Sequence, residues 1–178
     1  MQYLTGNLIV ATIEHTSVYY FNDDGTIPNS QLPVIIYRQV CPGLAKADWL
    51  EHCFQSNGWT NNWRDSVRTY DHFHSNTHEV LGLGSGELIL QIGGKMNGMQ
   101  LMVAAGDVLV LPAGVGHFSV DNSRDYEMIG GYSFGKHWDM MTGKPEEREH
   151  ALQNLGKVAL PVTDPVFGVN GPLLQLWK

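Results

Sequence analysis

The chain has 178 residues, which suggests one domain, and its apolar fraction is sufficient for a core without disulfide bridges. Its net charge of −7 gives no electrostatic case for binding nucleic acid and argues against an anionic membrane surface. No apolar run approaches membrane-spanning length, and the N-terminus lacks the basic and apolar regions of a signal peptide. We therefore expect a soluble cytoplasmic protein.

Residues 1–66 predict two strands followed by a helix. Ile9–Phe21 and Leu32–Val40 are rich in β-branched and aromatic residues, and a polar turn containing Gly25 separates them. Ala45–Asn57 carries apolar residues at helical spacing and ends at an Asn-Gly stop signal.

Two tryptophans and two cysteines in this region favour structural interpretations. Trp59 and Trp63 follow the helix in a segment that predicts a polar loop, where large aromatic residues are expected to form a small satellite core. Cys41 and Cys53 form neither a CxxC motif nor a disulfide framework. Cys53 lies on the apolar side of the predicted helix and indicates a buried structural thiol.

From Val67 onwards the sequence predicts an all-β body. Glycine-rich turns at Gly84-Ser85-Gly86 and Gly93–Gly98 predict hairpins, and Pro145 predicts the start of a helix. The proline-containing segment Val158–Lys178 predicts an extended tail over the body. Short strands at close spacing are typical of a sandwich or a closed barrel. The predicted strands are Val67–His74, Glu79–Gly84, Glu87–Ile92, Met99–Ala104, Val108–Leu111, His117–Val120 and Tyr126–Phe134.

A dense group of histidines and a carboxylate lies at the first of these strands. If Val67–His74 is a strand, His72 and His74 project from one face, and the next strand returns Glu79 beside them. His117 opens a strand after a tight turn and is the best candidate for a further ligand. Imidazoles and a carboxylate at this density favour a bound metal.

Other side chains near this group have weaker assignments. Arg68 and Tyr70 share the face of the two histidines; Arg68 could hold a substrate carboxylate by its two-pronged donor geometry, or form an ion pair at the rim. Tyr132 and Trp138 follow the barrel strands and could close the mouth of the barrel, although packing is the preferred interpretation. His78 is adjacent to the candidate carboxylate in sequence and should point to the opposite face, as a supporting or structural residue. The isolated histidines are expected to be solvated: His15, His52, His137 and His150.

Two motifs resemble those of the cupins. Residues 72–86 have the spacing His-x-His, four residues, Glu, six residues, Gly, and residues 106–117 have the spacing Gly, five residues, Pro-x-Gly, two residues, His. Both spacings match in full, although Ser66 replaces a usual glycine and Asp121 a usual asparagine. Longer stretches resemble YjlB-type cupins: residues 21–29, 32–34, 78–82, 112–117, 163–168 and 171–173.

The resemblance implies an all-β cupin fold, a double-stranded β-helix or jelly-roll barrel, with a helix before the barrel and a short helix plus extended tail after it. It implies one cupin domain over residues 1–178, with the barrel core at 67–135 and the C-terminal helix and tail at 136–178. It also implies that the metal ligands are His72, His74, Glu79 and His117. Four such ligands leave two octahedral positions open and suit Fe, Mn, Ni, Co, Cu or Zn.

We expect a metal-dependent enzyme that converts an oxyacid, enolate, sugar or thiol by dioxygenase-type or Lewis-acid chemistry, such as isomerisation or epimerisation. Arg68 and Tyr70 are the candidates to orient or protonate the substrate. A binder or sensor without turnover is the alternative, and a structural barrel of the storage-protein kind would not need the complete ligand set. Gly82 and Gly84 leave one strand face bare, which suggests close approach of another backbone or subunit and predicts a homodimer.

Overall fold

The structure is a computed structural model, and it describes residues 16–44 and 46–178. These residues form nine strands and four helices, with a short 3-10 turn at Pro145–Glu147. The strands are β1 Thr16–Phe21, β2 Ser30–Tyr37, β3 Trp59–Asp65, β4 Glu79–Ser85, β5 Glu87–Ile92, β6 Met99–Ala104, β7 Val108–Leu111, β8 His117–Asn122 and β9 Glu127–Ser133. The helices are α1 Lys46–Ser56, α2 Gly94–Asn97, α3 Arg148–Leu155 and α4 Leu173–Leu176.

The strands build two antiparallel sheets that pack face to face. One sheet has the order β1-β2-β7-β4-β9-β3 and the other the order β6-β5-β8. Alternate residues of both sheets, such as Leu81 and Leu109 in the first and Leu90 and Val103 in the second, are buried in one shared core. This arrangement is the predicted jelly-roll barrel of a cupin, and strands that precede residue 67 form half of its larger sheet.

The outer face of the larger sheet is covered by α1 and the C-terminal tail. Leu50 and Phe54 of α1 are fully buried, and each contributes about 1.5–3 kcal/mol through the apolar surface that it removes from water. A Cβ at Gly82 would lie 2.9 Å from the Phe54 ring, and one at Gly84 would lie 2.8 Å from the Ala47 Cβ. The close neighbour of these glycines is therefore a helix of the same chain, and the homodimer stays a prediction without their support.

The tail is anchored by a buried carboxylate and a tryptophan. Tyr37 donates a hydrogen bond of 2.5 Å to the Asp164 carboxylate, which also accepts the backbone N–H groups of Val166 and Leu173. The Trp177 indole donates to the carbonyl oxygen of Pro33 in β2. The predicted tail over the body is present, and it ends in a helical turn.

Three sequence predictions of local structure are wrong. Val67–His74 is not a regular strand, because His72 and Phe73 bridge to two different partners, His117 and Met141, and no ladder can extend. Gly84-Ser85-Gly86 joins strands of different sheets and does not form a hairpin. The polar loop predicted after α1 is strand β3 instead.

The sequence pattern did not predict strand β3 because its side-chain alternation is irregular. Its register with β9 shifts between Thr60 and Trp63, and Asn61 in this stretch has a positive φ of 57°. Trp59 consequently packs in the outer cluster beneath the tail, whereas Trp63 packs against the barrel core. A strict period of two would have put both tryptophans on one face.

The first predicted strand, Ile9–Phe21, is present as β1 from Thr16 onwards, and its residues 9–15 lie outside the described residues. The other predicted elements agree with the structure within a few residues. The helix predicted at Ala45–Asn57 is α1, and the glycine-rich segment Gly93–Gly98 closes the β5–β6 hairpin with the single turn α2. The helix predicted at Pro145 begins as the 3-10 turn and continues as α3. Within the described part of the chain, no helix combines the length and the apolarity needed to cross a bilayer.

Candidate metal centre

Three histidines meet at one end of the barrel. His72 and His74 lie in the irregular segment between β3 and β4, and His117 is the first residue of β8. The backbone N–H of His117 donates to the carbonyl oxygen of His72 at 2.9 Å, which ties the two segments together. One ring nitrogen of each histidine lies within 4.8 Å of the others.

The turn before His117 requires glycine at two positions. Gly114 has a φ of +92°, and its N–H donates to the carbonyl oxygen of His74. A Cβ at Gly116 would lie 2.8 Å from the Ile27 side chain, so the backbone can pass here only as glycine. The second motif thus has a physical role, because its glycines bring His117 against the segment that carries His74.

The ring nitrogens of these histidines are oriented by backbone carbonyl groups. The Nδ1 atoms of His72 and His117 lie 3.1 Å from the carbonyl oxygens of Tyr70 and Val115, and Nδ1 of His74 lies 2.5 Å from that of Asp139. A carbonyl oxygen only accepts, so each Nδ1 must carry the hydrogen. Each neutral ring then has its lone pair on Nε2, which is how metal-ligating histidines are usually oriented.

Glu79, the first residue of β4, completes the group. Its side chain is 3% exposed, and its Oε2 lies 3.2 Å from Nε2 of His117 and 3.4 Å from Nε2 of His74. This oxygen has no hydrogen-bond partner among the described residues. A buried carboxylate oxygen without a donor is costly unless a cation occupies the space before it, and three nitrogens with one oxygen are a fitting donor set for a transition metal.

The protonation states fit the same donor set. Burial and the adjacent rings of His117 and His74 lower the pKa of His72 to about 3, so this ring is neutral at pH 7. Burial opposes protonation of His74, yet the Glu79 carboxylate and the Asp139 carbonyl hold the pKa of His74 above its ordinary value. Burial also opposes ionisation of Glu79, but the two imidazoles beside it hold its pKa below its usual range. A metal would displace the proton from His74.

Asp139 fixes the segment that covers the centre, and no sequence motif pointed to it. Its carboxylate accepts the Ser75 N–H at 2.6 Å and the Ser75 hydroxyl at 2.5 Å, while its carbonyl oxygen holds the ring of His74. Asn154 of α3 also donates to the Ser75 hydroxyl. The helix after the barrel is thereby connected to the orientation of a candidate ligand.

The group opens into a cavity of about 250 Å³. Trp63, Tyr132 and Trp138 line it, and Met140 lies beside them. Tyr132 and Trp138 thus do more than pack the barrel mouth, and Trp63 is a cavity residue that the sequence indicated only as satellite core. A Cβ at Gly130 would lie 2.0 Å from the Trp63 ring, which shows how glycine in β9 admits this indole.

The two candidate substrate-orienting residues differ in position. Arg68 lines the cavity and makes no ion pair with any described residue, so the rim ion pair is not formed. Tyr70 is 47% exposed, is not part of the cavity wall, and has its ring centroid 5.8 Å from that of His72. The shared face predicted for both residues required a strand that does not form.

His78 lies on the other side of β4, as predicted. It is buried, its Nδ1 accepts the backbone N–H of Ala113 at 3.0 Å, and its ring packs 4.7 Å from that of Trp177. His52, His137 and His150 are exposed, and His137 stacks against Trp138. His15 lies outside the described residues.

Comparisons with known proteins found a relative with substantial sequence identity. No family model matches the chain. It is 42% identical over 163 residues, 91% of this chain and 96% of the relative, to the uncharacterized protein YjlB of Bacillus subtilis (strain 168).

Solved structures that align with this chain have low sequence identity and TM-scores below 0.5. The epimerase RmlC of Legionella pneumophila, which acts on a dTDP-sugar, has 12% identity and a TM-score of 0.41, covering 69% of this chain and 74% of its own. A single-residue variant of the oxalate decarboxylase of Bacillus subtilis has 19% identity and a TM-score of 0.40, covering 74% of this chain and 35% of its own. The identity to YjlB over nearly the whole of both chains, together with the jelly-roll barrel, leads to one conclusion: the chain belongs to the YjlB family of cupins.

Proposed function

We propose that this cupin is a metal-dependent enzyme that converts a small molecule. In this proposal His72, His74, Glu79 and His117 hold one divalent transition metal of the series Fe, Mn, Ni, Co, Cu or Zn. The observation that carries the proposal is the orientation of the three imidazoles, whose Nδ1 atoms all face backbone carbonyls while Nε2 of His74 and His117 faces an unpartnered carboxylate oxygen.

A metal held by four protein groups keeps open coordination positions and supplies Lewis-acid or redox chemistry at an oxygen of the substrate. The other residues of the cavity bind and orient. Arg68 can pair with an anionic group, and the rings of Trp63 and Trp138 limit the access of water. The substrate is an oxyacid, enolate, sugar or thiol, and dioxygenase-type and isomerase or epimerase reactions both fit a centre of this composition.

Metal analysis followed by activity screening tests the proposal. Protein purified without an affinity tag should contain close to one transition-metal ion per chain, and the metal-loaded protein should consume oxygen or isomerise at least one compound of the four substrate classes. Metal content that His72→Ala leaves unchanged would contradict the site. Stoichiometric metal without turnover of any class would instead favour the alternative, a binder or sensor.

Oligomeric state and location complete the proposal. We expect a cytoplasmic homodimer of single cupin domains. Sedimentation that finds only monomer at high protein concentration would contradict the dimer.

A further inference from the structure

Cavity charge, size and hydrogen bonding narrow the substrate class of the proposed centre. We propose that the cavity selects a small organic carboxylate, which Arg68 binds through its carboxylate and to which Tyr132 donates a hydrogen bond at a second oxygen near the metal. This inference rests on the proposed function, since it presupposes the metal. It adds Tyr132 as a specificity-determining residue and commits Arg68 to one class of ligand.

The charge of the cavity favours an anion. Apart from the four candidate ligands, the charged residues that line it are Arg68 and Asp65, which offset each other. A divalent cation beside the single carboxylate of Glu79 leaves one positive charge in excess. The guanidinium of Arg68 has no partner among the described residues, and its planar donors match a carboxylate.

The hydroxyl group of Tyr132 is set to donate toward the centre. Tyr132 of β9 lies directly opposite Glu79 of β4 in the sheet register, so both side chains face the barrel interior. The indole N–H of Trp63 donates to the Tyr132 oxygen at 3.0 Å. A phenol both accepts and donates, so Trp63 leaves the tyrosine hydrogen free to donate, and the Glu79 carboxylate or a ligand oxygen beside it can accept it.

Arg68 and Tyr132 belong to the wall of the same cavity. Both residues line it together with the three imidazoles and Glu79. A tyrosine hydroxyl is a hydrogen-bond donor at neutral pH. Arg68 and Tyr132 face one ligand volume from neighbouring positions of the wall.

The size of the cavity limits the ligand. At about 250 Å³ it lies below the roughly 300–1,000 Å³ of pockets that enclose drug-sized molecules. A hydroxy or oxo acid of a few carbon atoms, with or without one aromatic ring, fits this volume beside Trp63 and Trp138. A nucleotide-linked sugar could place only a part of itself inside.

Matched acids and amides test the inference. Cobalt(II)-loaded protein is titrated calorimetrically with glycolate and mandelate, and with glycolamide and mandelamide, which have nearly the same shape but no charge. We expect at least one acid to bind about tenfold more tightly than its amide. In Arg68→Met that preference should fall below about threefold, and in Tyr132→Phe acid binding should weaken about fivefold.

The controls separate this inference from the proposed function. Arg124→Met removes the same charge from an exposed residue outside the cavity, and Tyr126→Phe removes a hydroxyl from a tyrosine that packs against the core outside the cavity; neither should change the preference. Arg68 is exposed, so its replacement leaves the fold intact. Equal affinities for acids and amides in metal-loaded protein, or no binding of either acid, would overturn the inference alone. Failure of the wild-type protein to bind metal would overturn the proposed function itself.

Discussion

Histidines on the two sides of strand β4 carry their ring hydrogen on different nitrogens. On the inner side, the Nδ1 atoms of His72, His74 and His117 donate to carbonyl oxygens, which leaves Nε2 free to bind a cation. On the outer side, Nδ1 of His78 accepts an amide hydrogen from Ala113, so its own hydrogen must be on Nε2. The tautomer, and not the residue type, distinguishes a candidate ligand from a structural histidine.

The packing around these rings explains the difference. The inner rings line the cavity of the centre together with an ionised carboxylate, whereas His78 lies outside that cavity, with its ring centroid 4.7 Å from that of Trp177. Burial lowers the pKa of His78 to about 4, so this ring is neutral at pH 7 and carries its hydrogen on Nε2. Four predictions test this contrast.

Replacement of the inner histidines should have the largest effect, which is a loss of bound metal. His72→Ala or His117→Ala should lower the bound metal at least tenfold, because each removes one of four donors. Inductively coupled plasma mass spectrometry of untagged protein measures the bound metal per chain. His78→Gln is the matched control on the outer side and should keep the metal content of the wild type. Equal losses in all three variants would erase the distinction between the two sides.

Removal of the metal should lower the Tm, and this loss should depend on the inner histidines. A ligand present at about 100 times its dissociation constant stabilises the native state by about 2.7 kcal/mol, which for a chain of this length corresponds to a Tm shift of about 5–10 °C. Adding EDTA to metal-loaded protein should lower Tm by this amount in a thermal scan. The same chelator should leave the Tm of His72→Ala unchanged, and an equal shift in that variant would point to metal bound elsewhere.

Gly84→Ala tests the outer side without touching the centre. Its new Cβ would lie 2.8 Å from both the Ala47 Cβ and the Ile129 side chain, so α1 must move, at a cost of about 1–3 kcal/mol and a Tm lower by about 2–10 °C. Metal per folded chain should not change. Gly156→Ala, where a Cβ meets no atom closer than 3.9 Å, should keep the Tm of the wild type. If Gly84→Ala were as stable as that control, the helix contact would be unimportant.

Cys53→Ser should have the smallest effect on Tm. The Cys53 thiol lies 3.5 Å from the carbonyl oxygens of Pro165 and Val166, and a hydroxyl can donate to the same groups. We expect a Tm change below about 4 °C, in line with about 1 kcal/mol or less, and unchanged metal content. Loss of metal in this variant would show that the tail supports the centre more directly than these contacts indicate.

Part of the fold could be read from local patterns, and part could not. β6 and β7 begin and end where alternation and apolar runs predicted, because their neighbours are regular. β3 was missed because a bulge at Asn61 sends its two tryptophans to opposite faces. The segment before β4 was predicted as a strand because its composition is that of one, although its backbone partners belong to two different parts of the chain.

By itself the sequence determined the cupin motifs, and the resemblance they carry implied the four candidate ligands, because motif spacing is a local property of the chain. The adjacency of His78 to Glu79 was enough to predict that the two side chains point to opposite faces. Tertiary structure alone decided which nitrogen of each histidine carries the hydrogen, since the carbonyl and amide partners come from distant segments. It also brought Trp63 and Tyr132 together across β3 and β9 and connected Asp139 to His74. The identity of the candidate ligands is a local property of the chain, while the wall that selects what they bind exists only after the sheets have paired.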